Sequence, residues 1–431
     1  MTTMAKKVQG VGLAFLSKIA KSDLVDQLKL RKVIEKSLYH GAKTGFSALS
    51  RTQKIFQPSS NQLKQRLPTQ DDQLFDLNLT EEQKMTVETM QKFATEVLSP
   101  LAHDADHQAI FPPELWQHAQ TLGLNFYALP ESYQGVATEK QVVSHILIAE
   151  HLARGDFSLA AAMLCNFSVI NCITQWGSEP IQNTYLYAFA EQPDLQASFA
   201  VQEDTPAFDP YHLKTTAHSK DGQFYLNGKK SLVLLGETAD ILLVSAEFNQ
   251  RPNIFIVERN DHILVKKSPA MGLKAAETVE LIFKNTPAQR LGDDDFDYTA
   301  CIDLGNLMWC ALAIGCCEAV KAYCINYANQ RMAFEEPISH RQGIAFMIAD
   351  MAIEIDAMRI LLLNAASLAD SGQKFHREAY LARILCAEKA MKIATDGVQI
   401  LGGHGYTKEH PVERWYRDLR ATAIMHAGLH A

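Results

Sequence analysis

Between residues 80 and 195, apolar residues recur at the three-and-four spacing of one helical face. Val87, Met90, Ala94, Val97 and Leu98 form one such stripe, with Thr80 and Gln83 ahead of it at the spacing of a capping box and Pro100 as its expected stop. "FPPELWQHAQTLGL" predicts a further helix, opened by Pro113 and closed by Gly123. At "QASFAVQE" the pattern shortens. From there to about residue 290, β-branched and apolar runs ("QFYLNGKKSLVLL", "ADILLVSAEF", "NIFIVER", "VELIFKN") alternate with turn signals, Asp221-Gly222 and Asn227-Gly228 among them. They predict an antiparallel β domain. The helical period then returns over 299–330, 338–371 and 376–401, which predicts an antiparallel helical bundle. The order helices, strands, helices, without a βα repeat, places the chain in the α+β class.

Ahead of this body lies a segment of another character. In "KKVQGVGLAFLSKIAKSDLVDQ", Val11, Phe15, Leu16 and Ile19 share a helical face with lysines around it, and a Gln-, Ser- and Pro-rich link follows. The expected organisation is a basic amphipathic arm and linker over 1–76, a helical domain over 77–195, a β domain over 196–292 and a helical bundle over 293–431. Charge sharpens the boundary: residues 1–70 carry 13 Lys and Arg against 3 Asp and Glu, although the whole chain has a net charge of −8. Such an arm suits peripheral contact with an anionic membrane surface, and equally packing against its own body or a second subunit. No nucleic-acid recognition motif accompanies it, so no nucleic-acid partner is expected.

The 8 cysteines show neither CxxC nor Cys/His metal spacing, and Cys310, Cys317 and Cys324 repeat every seven residues in an apolar stretch. They read as reduced core residues, with no metal implied. "LMWCALAIGCC" is the longest apolar run and Glu318 ends it, well short of the roughly 18 residues that span a bilayer. A cytoplasmic protein is expected, associated with a membrane only through its arm.

The stretch "QILGGHGYTKEHPVERWYRD", residues 399–418, carries the strongest family signal. With "LPESYQG", "EHLARGDFSLA", "MGLKAAETVELIFKNTP" and "QRMAFEEPISHRQGIAFMIADM" in the same order, it resembles the acyl-CoA dehydrogenase family over residues 77–431. The resemblance implies a helical domain, a β domain and a C-terminal four-helix bundle, assembled as a homo-oligomer (dimer or tetramer) with FAD held partly across a subunit interface. It also implies α,β-dehydrogenation of an acyl-CoA thioester, with electrons passing to an electron-transferring flavoprotein. Carried over residue by residue, Arg331 faces the FAD pyrophosphate, where a guanidinium fork suits two phosphate oxygens. Phe334 and Gln342 line the dinucleotide, and Gln399, Gly402 and Gly403 let the backbone approach its adenosine end.

The flavin-ring side departs from the family pattern. Where the family carries a "TEPxxGSD"-like segment this chain has "QEDTPAFD", with Gln202 at the threonine and Phe208 at the serine, and after "NGKK" Leu232 and Leu234 replace an aromatic residue and a threonine. The family's catalytic glutamate falls on His426, and the alternative glutamate position of some subfamilies falls on Gly305, followed by Asn306 in place of an arginine. His426 is the candidate base, since an ordinary imidazole is largely neutral near pH 7, although burial would lower its basicity. With five residues after His426, the pocket floor is expected to be open or filled by another chain. Two readings follow: a dehydrogenase with a divergent active site, or a catalytically silent acyl-CoA-binding or structural partner in a mixed oligomer.

Overall fold

Thr80 begins the first helix of the body with the reciprocal bonds of a capping box: its Oγ1 accepts from Gln83 N at 3.2 Å, and Gln83 Oε1 accepts from Thr80 N at 3.0 Å. The computed structural model describes residues 78–137, 141–294 and 296–431, so the basic arm lies outside the described residues. Helix α1 (Glu81–Phe93) does not stop at Pro100. It passes through a π-helical turn (Ala94–Leu98) into α2 (Ser99–Gln108), and Pro100 follows that turn directly, where the regular hydrogen-bond ladder is already interrupted. Helix α3 (Glu114–Leu122) ends at Gly123, φ 72°, as its sequence requires. Helices α4 (Val142–Ala153), α5 (Phe157–Trp176) and α6 (Glu179–Glu191) complete the first domain.

Seven strands follow: β1 (Ala197–Ala200), β2 (Thr216–Lys220), β3 (Gln223–Val233), β4 (Ile241–Phe248), β5 (Arg251–Glu258), β6 (Ile263–Lys267) and β7 (Val279–Arg290). The sheet closes on itself, since β4 pairs with both β2 and β5, and β3 and β7 join those two. Leu226, Leu242, Val244, Phe255, Leu281 and Phe283 fill its interior. Two expectations need correction. The domain is not wholly antiparallel, because β1 runs parallel to β4 from Ala197↔Ile241 to Ala200↔Val244. Asp221-Gly222 is the β2–β3 hairpin turn, but Asn227-Gly228 lies inside β3 at a register shift, where a Cβ on Gly228 would stand 2.5 Å from Thr215 Cα. That glycine serves close backbone approach within a strand rather than a reversal.

The third domain is built on α7 (Tyr298–Gln330), a short hairpin of β8 (Met332–Ala333) and β9 (Glu336–Pro337), α8 (Gln342–Asp370) and α9 (His376–Leu401). Helix α8 starts later than its apolar period suggested, because Ile338–His340 forms a 3-10 turn behind Pro337. All eight cysteines are buried free thiols. Helices α5 and α7 are long and apolar enough to cross a membrane by composition, yet both run through the core of the body.

The 399–418 motif binds the three domains together. In α10 (Val412–Leu419), Arg414 Nε donates to Asp156 Oδ2 at 3.0 Å, and Asp156 also caps α5 by accepting from Leu159 N. Arg417 grips Asp106 of α2 through two bonds of 2.7 and 2.9 Å. Fully buried Asp418 accepts from Leu273 N of the β domain at 2.8 Å, and burial raises its carboxyl well above the usual range, with Asp156 adding to the effect. A Cβ on neighbouring Gly272 would stand 2.4 Å from Arg417 O, so the β-domain loop lies directly on this helix.

Candidate active site

The segment leaving β1 is pinned from below by a buried ion pair. Lys230 of β3 is fully buried, and its Nζ reaches Glu203 Oε1 at 2.7 Å, Ser245 Oγ at 2.8 Å and Val201 O at 3.0 Å. Glu203 also accepts from the backbone amides of Lys214 and Thr215. Burial pushes the Lys230 ammonium down to about 8, against the holding effect of Glu203. Burial opposes ionisation of Glu203 too, but the Lys230 charge outweighs it and leaves the carboxyl below its ordinary value. Above the pair, Ser231 N donates to Gln202 O at 2.9 Å, which sets the 202–209 segment beside 229–234. The side-chain carbonyl of Gln202 is buried and has no partner.

His426 reaches this region after the short helix α11 (Ala421–Ile424). Leu232 and Met425 line one small cleft of about 70 Å³, and the Phe208 ring meets His426 edge-on at 5.9 Å. Helix α9 sends Arg383 into the same place. Its guanidinium donates to Met425 O at 2.7 Å, to Asn306 Oδ1 at 3.3 Å and to His426 Nε2 at 3.2 Å. Arginine has no acceptor, so Nε2 supplies the lone pair and the imidazole proton resides on Nδ1. Burial first, and then the Arg383 charge, lower the His426 pKa to about 4 despite Asp209. The imidazole is therefore neutral, with its basic nitrogen engaged by a cation. Asn306 stands where an arginine was expected, and Arg383 brings a guanidinium to it from another helix.

The pocket floor is neither open nor left to another chain. Residues 427–431 turn inward, Ala427 N bonding to Asn306 Oδ1 at 3.3 Å and Trp309 Nε1 donating to Ala427 O at 2.6 Å. A Cβ on Gly305 would stand 2.5 Å from Leu429 O and 2.6 Å from Ala427 Cα. Gly305 thus packs directly under this segment.

The remaining predicted residues form a second group. Arg331 caps the end of α7 and has no carboxylate partner among the described residues. Phe334 is 90% exposed at φ 53°, with the Arg341 guanidinium 5.6 Å from its ring centroid, and Gln342 opens α8. Gln399 lies in the last turn of α9, and Gly402 (φ 59°) and Gly403 follow with no atom within 4 Å of an added Cβ. Helices α7 and α9 run parallel: Asp303 meets His376 at one end (2.7 Å) and Tyr327 meets His404 at the other (2.9 Å). Arg331 and the Gly402 turn therefore share one end of the bundle, while Asn306, Arg383 and His426 share the opposite end. The 25 residues from Asn306 to Arg331 rise roughly 37 Å, which sets the two predicted groups far apart within one chain.

Sequence reasoning missed Arg383, Lys230 and Trp309. Arg383 carried a signal, an arginine beside the apolar positions Ala379, Ala382, Cys386 and Ala390 of α9. Lys230 carried none, because a lysine next to a lysine in a strand reads as solvated surface.

Comparison with known proteins agrees with the three-domain order. Three acyl-CoA dehydrogenase family models match in order: the N-terminal domain over residues 80–192, the middle domain over 198–286 and the C-terminal domain over 298–428. An acyl-CoA dehydrogenase of Bacillus subtilis (strain 168) is 34% identical over 362 residues, covering 81% of this chain and 95% of that protein. Butyryl-CoA dehydrogenase from Megasphaera elsdenii superposes with a TM-score of 0.74 at 30% identity, covering 81% of this chain and 95% of that one. A chain from structural work on the electron transferring flavoprotein of Acidaminococcus fermentans matches with a TM-score of 0.74 at 31% identity, covering 81% and 95%.

Proposed function

The chain belongs to the acyl-CoA dehydrogenase family, and from that premise we propose that it is an FAD-dependent oxidoreductase catalysing α,β-dehydrogenation of an acyl-CoA thioester. The observation that carries this reading is the full three-domain match together with two half-sites suited to the two ends of FAD. At one end Arg331, without a carboxylate partner among the described residues, offers a guanidinium fork to the pyrophosphate, and Gly402-Gly403 leave open backbone beside it. At the other, the orphaned carbonyl of Gln202 suits an N–H donor on the flavin ring. FAD supplies the hydride acceptor when bound. His426 stands at the base position, and to take an α-proton its Nε2 must first be released by Arg383.

The separation of the half-sites supports a homo-oligomer in which each complete site draws on two chains. Phe346, Ile353 and Ile360, spaced by seven on α8 and all more than half exposed, offer an apolar stripe for that contact. An electron-transferring flavoprotein is the proposed acceptor. Eight free buried thiols support a reducing, cytoplasmic setting, with the 1–70 arm on an anionic membrane surface; flotation of the full chain with anionic liposomes, lost when 1–70 is deleted, tests that contact.

A second reading has its own observation: neither base position offers a carboxylate, and the His426 lone pair is occupied, as in an acyl-CoA binder without turnover. The visible spectrum decides. Reconstitution with FAD followed by anaerobic bleaching with acyl-CoAs of graded length supports the enzyme. Absence of bound flavin overturns it, and bound flavin that no thioester bleaches selects the silent partner.

A further inference from the structure

We propose that residues 427–431 fill the acyl slot as a displaceable plug, which a CoA thioester expels when it binds. The inference rests on the acyl-CoA reading above. In that reading His426 and Gly305 are two positions from which a base reaches the same α-carbon, so the substrate passes between them. Here that space holds protein. The Gly305 backbone lies against Ala427 and Leu429 with no room for a Cβ. One turn further along the same face of α7, fully buried Trp309 holds the Ala427 carbonyl.

Beyond Trp309 the segment continues into the helical core. Leu429 and His430 are fully buried, the His430 ring stands edge-on to Trp176 at 4.9 Å, and Asn171 Nδ2 donates to His430 O at 3.4 Å. The course followed by 427–431, from the base position inward between α5 and α7, is the one an acyl chain needs.

The seat is poorly satisfied, as a displaceable occupant's would be. Both ring nitrogens of His430 and Nε2 of His145 are buried without a well-formed hydrogen bond, and only backbone groups, Ala431 for both rings and Tyr127 for His145, act on them, an incomplete satisfaction that hydration relieves. Burial keeps both rings neutral, lowering His430 to about 3 and His145 to about 4 against the opposing effect of the Ala431 backbone. The bend joining plug to body is two successive left-handed residues, Ala427 at φ 45° and Gly428 at φ 77°, and the alanine is strained there. Apolar packing of Leu429 and the Trp309 bond hold it in; an acyl chain replaces the first and its entry releases the strain.

The test uses the FAD-reconstituted full chain labelled with 5-fluorotryptophan, whose 4 tryptophans are assigned by single Trp→Phe variants. Titration with an octanoyl-CoA thioether, which cannot react, is followed by 19F NMR and calorimetry. Expulsion shifts the Trp309 and Trp176 resonances together, leaves Trp116 and Trp415 in place, and is not reproduced by CoA alone. A Leu429→Gly/His430→Gly variant, with a weakened plug, binds the thioether about tenfold more tightly; binding by this variant alone also supports the plug. Binding to the wild type with Trp309 and Trp176 unmoved overturns the plug while the acyl-CoA reading stands. Binding to neither protein overturns both.

Discussion

Replacing Lys230 by methionine isolates the one fully buried ammonium in the described body. Methionine keeps much of the side-chain volume and removes three Nζ contacts, at 2.7, 2.8 and 3.0 Å. Breaking a buried pair by deleting one partner destabilises by roughly 3–5 kcal/mol, because the other charge is left uncompensated. Glu203 retains two backbone donors, Lys214 N and Thr215 N, so the lower end, about 3 kcal/mol, is expected. Urea denaturation followed by tryptophan fluorescence reads the global loss. Hydrogen exchange at Lys214 and Thr215 reads the local one, and both amides should exchange faster. The double variant Glu203→Leu/Lys230→Met should recover most of the loss, since a buried pair replaced by apolar groups is often nearly neutral. A pH series adds a signed check. The folded Lys230 pKa lies below its ordinary value, so the unfolded chain binds the extra proton and wild type gains stability relative to Lys230→Met as pH rises from about 8. Wild-type stability and exchange in Lys230→Met would refute the claim that this pair holds the 201–215 segment.

Arg383→Met removes the cation beside His426, and the imidazole pKa should then rise from about 4 toward its ordinary value, as read by NMR titration of labelled histidine; an unmoved titration would assign the depression to burial alone. Gly305→Ala should destabilise by about 1–3 kcal/mol, an overpacking penalty, because its Cβ meets Leu429 O and Ala427 Cα; a neutral thermal melt would show that 427–429 yields without resistance. His145 is neutral when folded, with its pKa lowered to about 4, so unfolding takes up a proton below pH 6.5. His145→Phe should therefore gain on wild type by about 1.4 kcal/mol per pH unit between pH 6.5 and 4, measured as the difference in urea stability; a constant difference would mean that His145 is charged in the fold.

The architecture was legible because period and punctuation agree over long segments: the Thr80 cap, the Gly123 stop and the 376–401 helix stand where the sequence puts them. Pro100 and Gly228 misled because each residue type has two physical uses. Proline ends a helix or sits where its hydrogen-bond ladder is already interrupted, and glycine makes a turn or admits a neighbouring backbone. At the site, the group around Arg331 and Gly402 was readable from local motifs. The group around His426 was not, since Arg383 is 43 residues away in sequence and the filling of the slot by 427–431 depends on tertiary packing that no local pattern encodes.

The ties made by Arg414, Arg417 and Asp418 bear on how such a chain can evolve. Each fastens one domain to another, so losing any of them exposes the fold to selection whether or not a thioester is ever oxidised. His426 and Leu232 carry no such duty and are free to drift once the chemistry relaxes. A lineage can therefore lose its reaction while keeping its most recognisable sequence, and the 399–418 signature measures descent and foldability, with turnover recorded only in the residues around position 426.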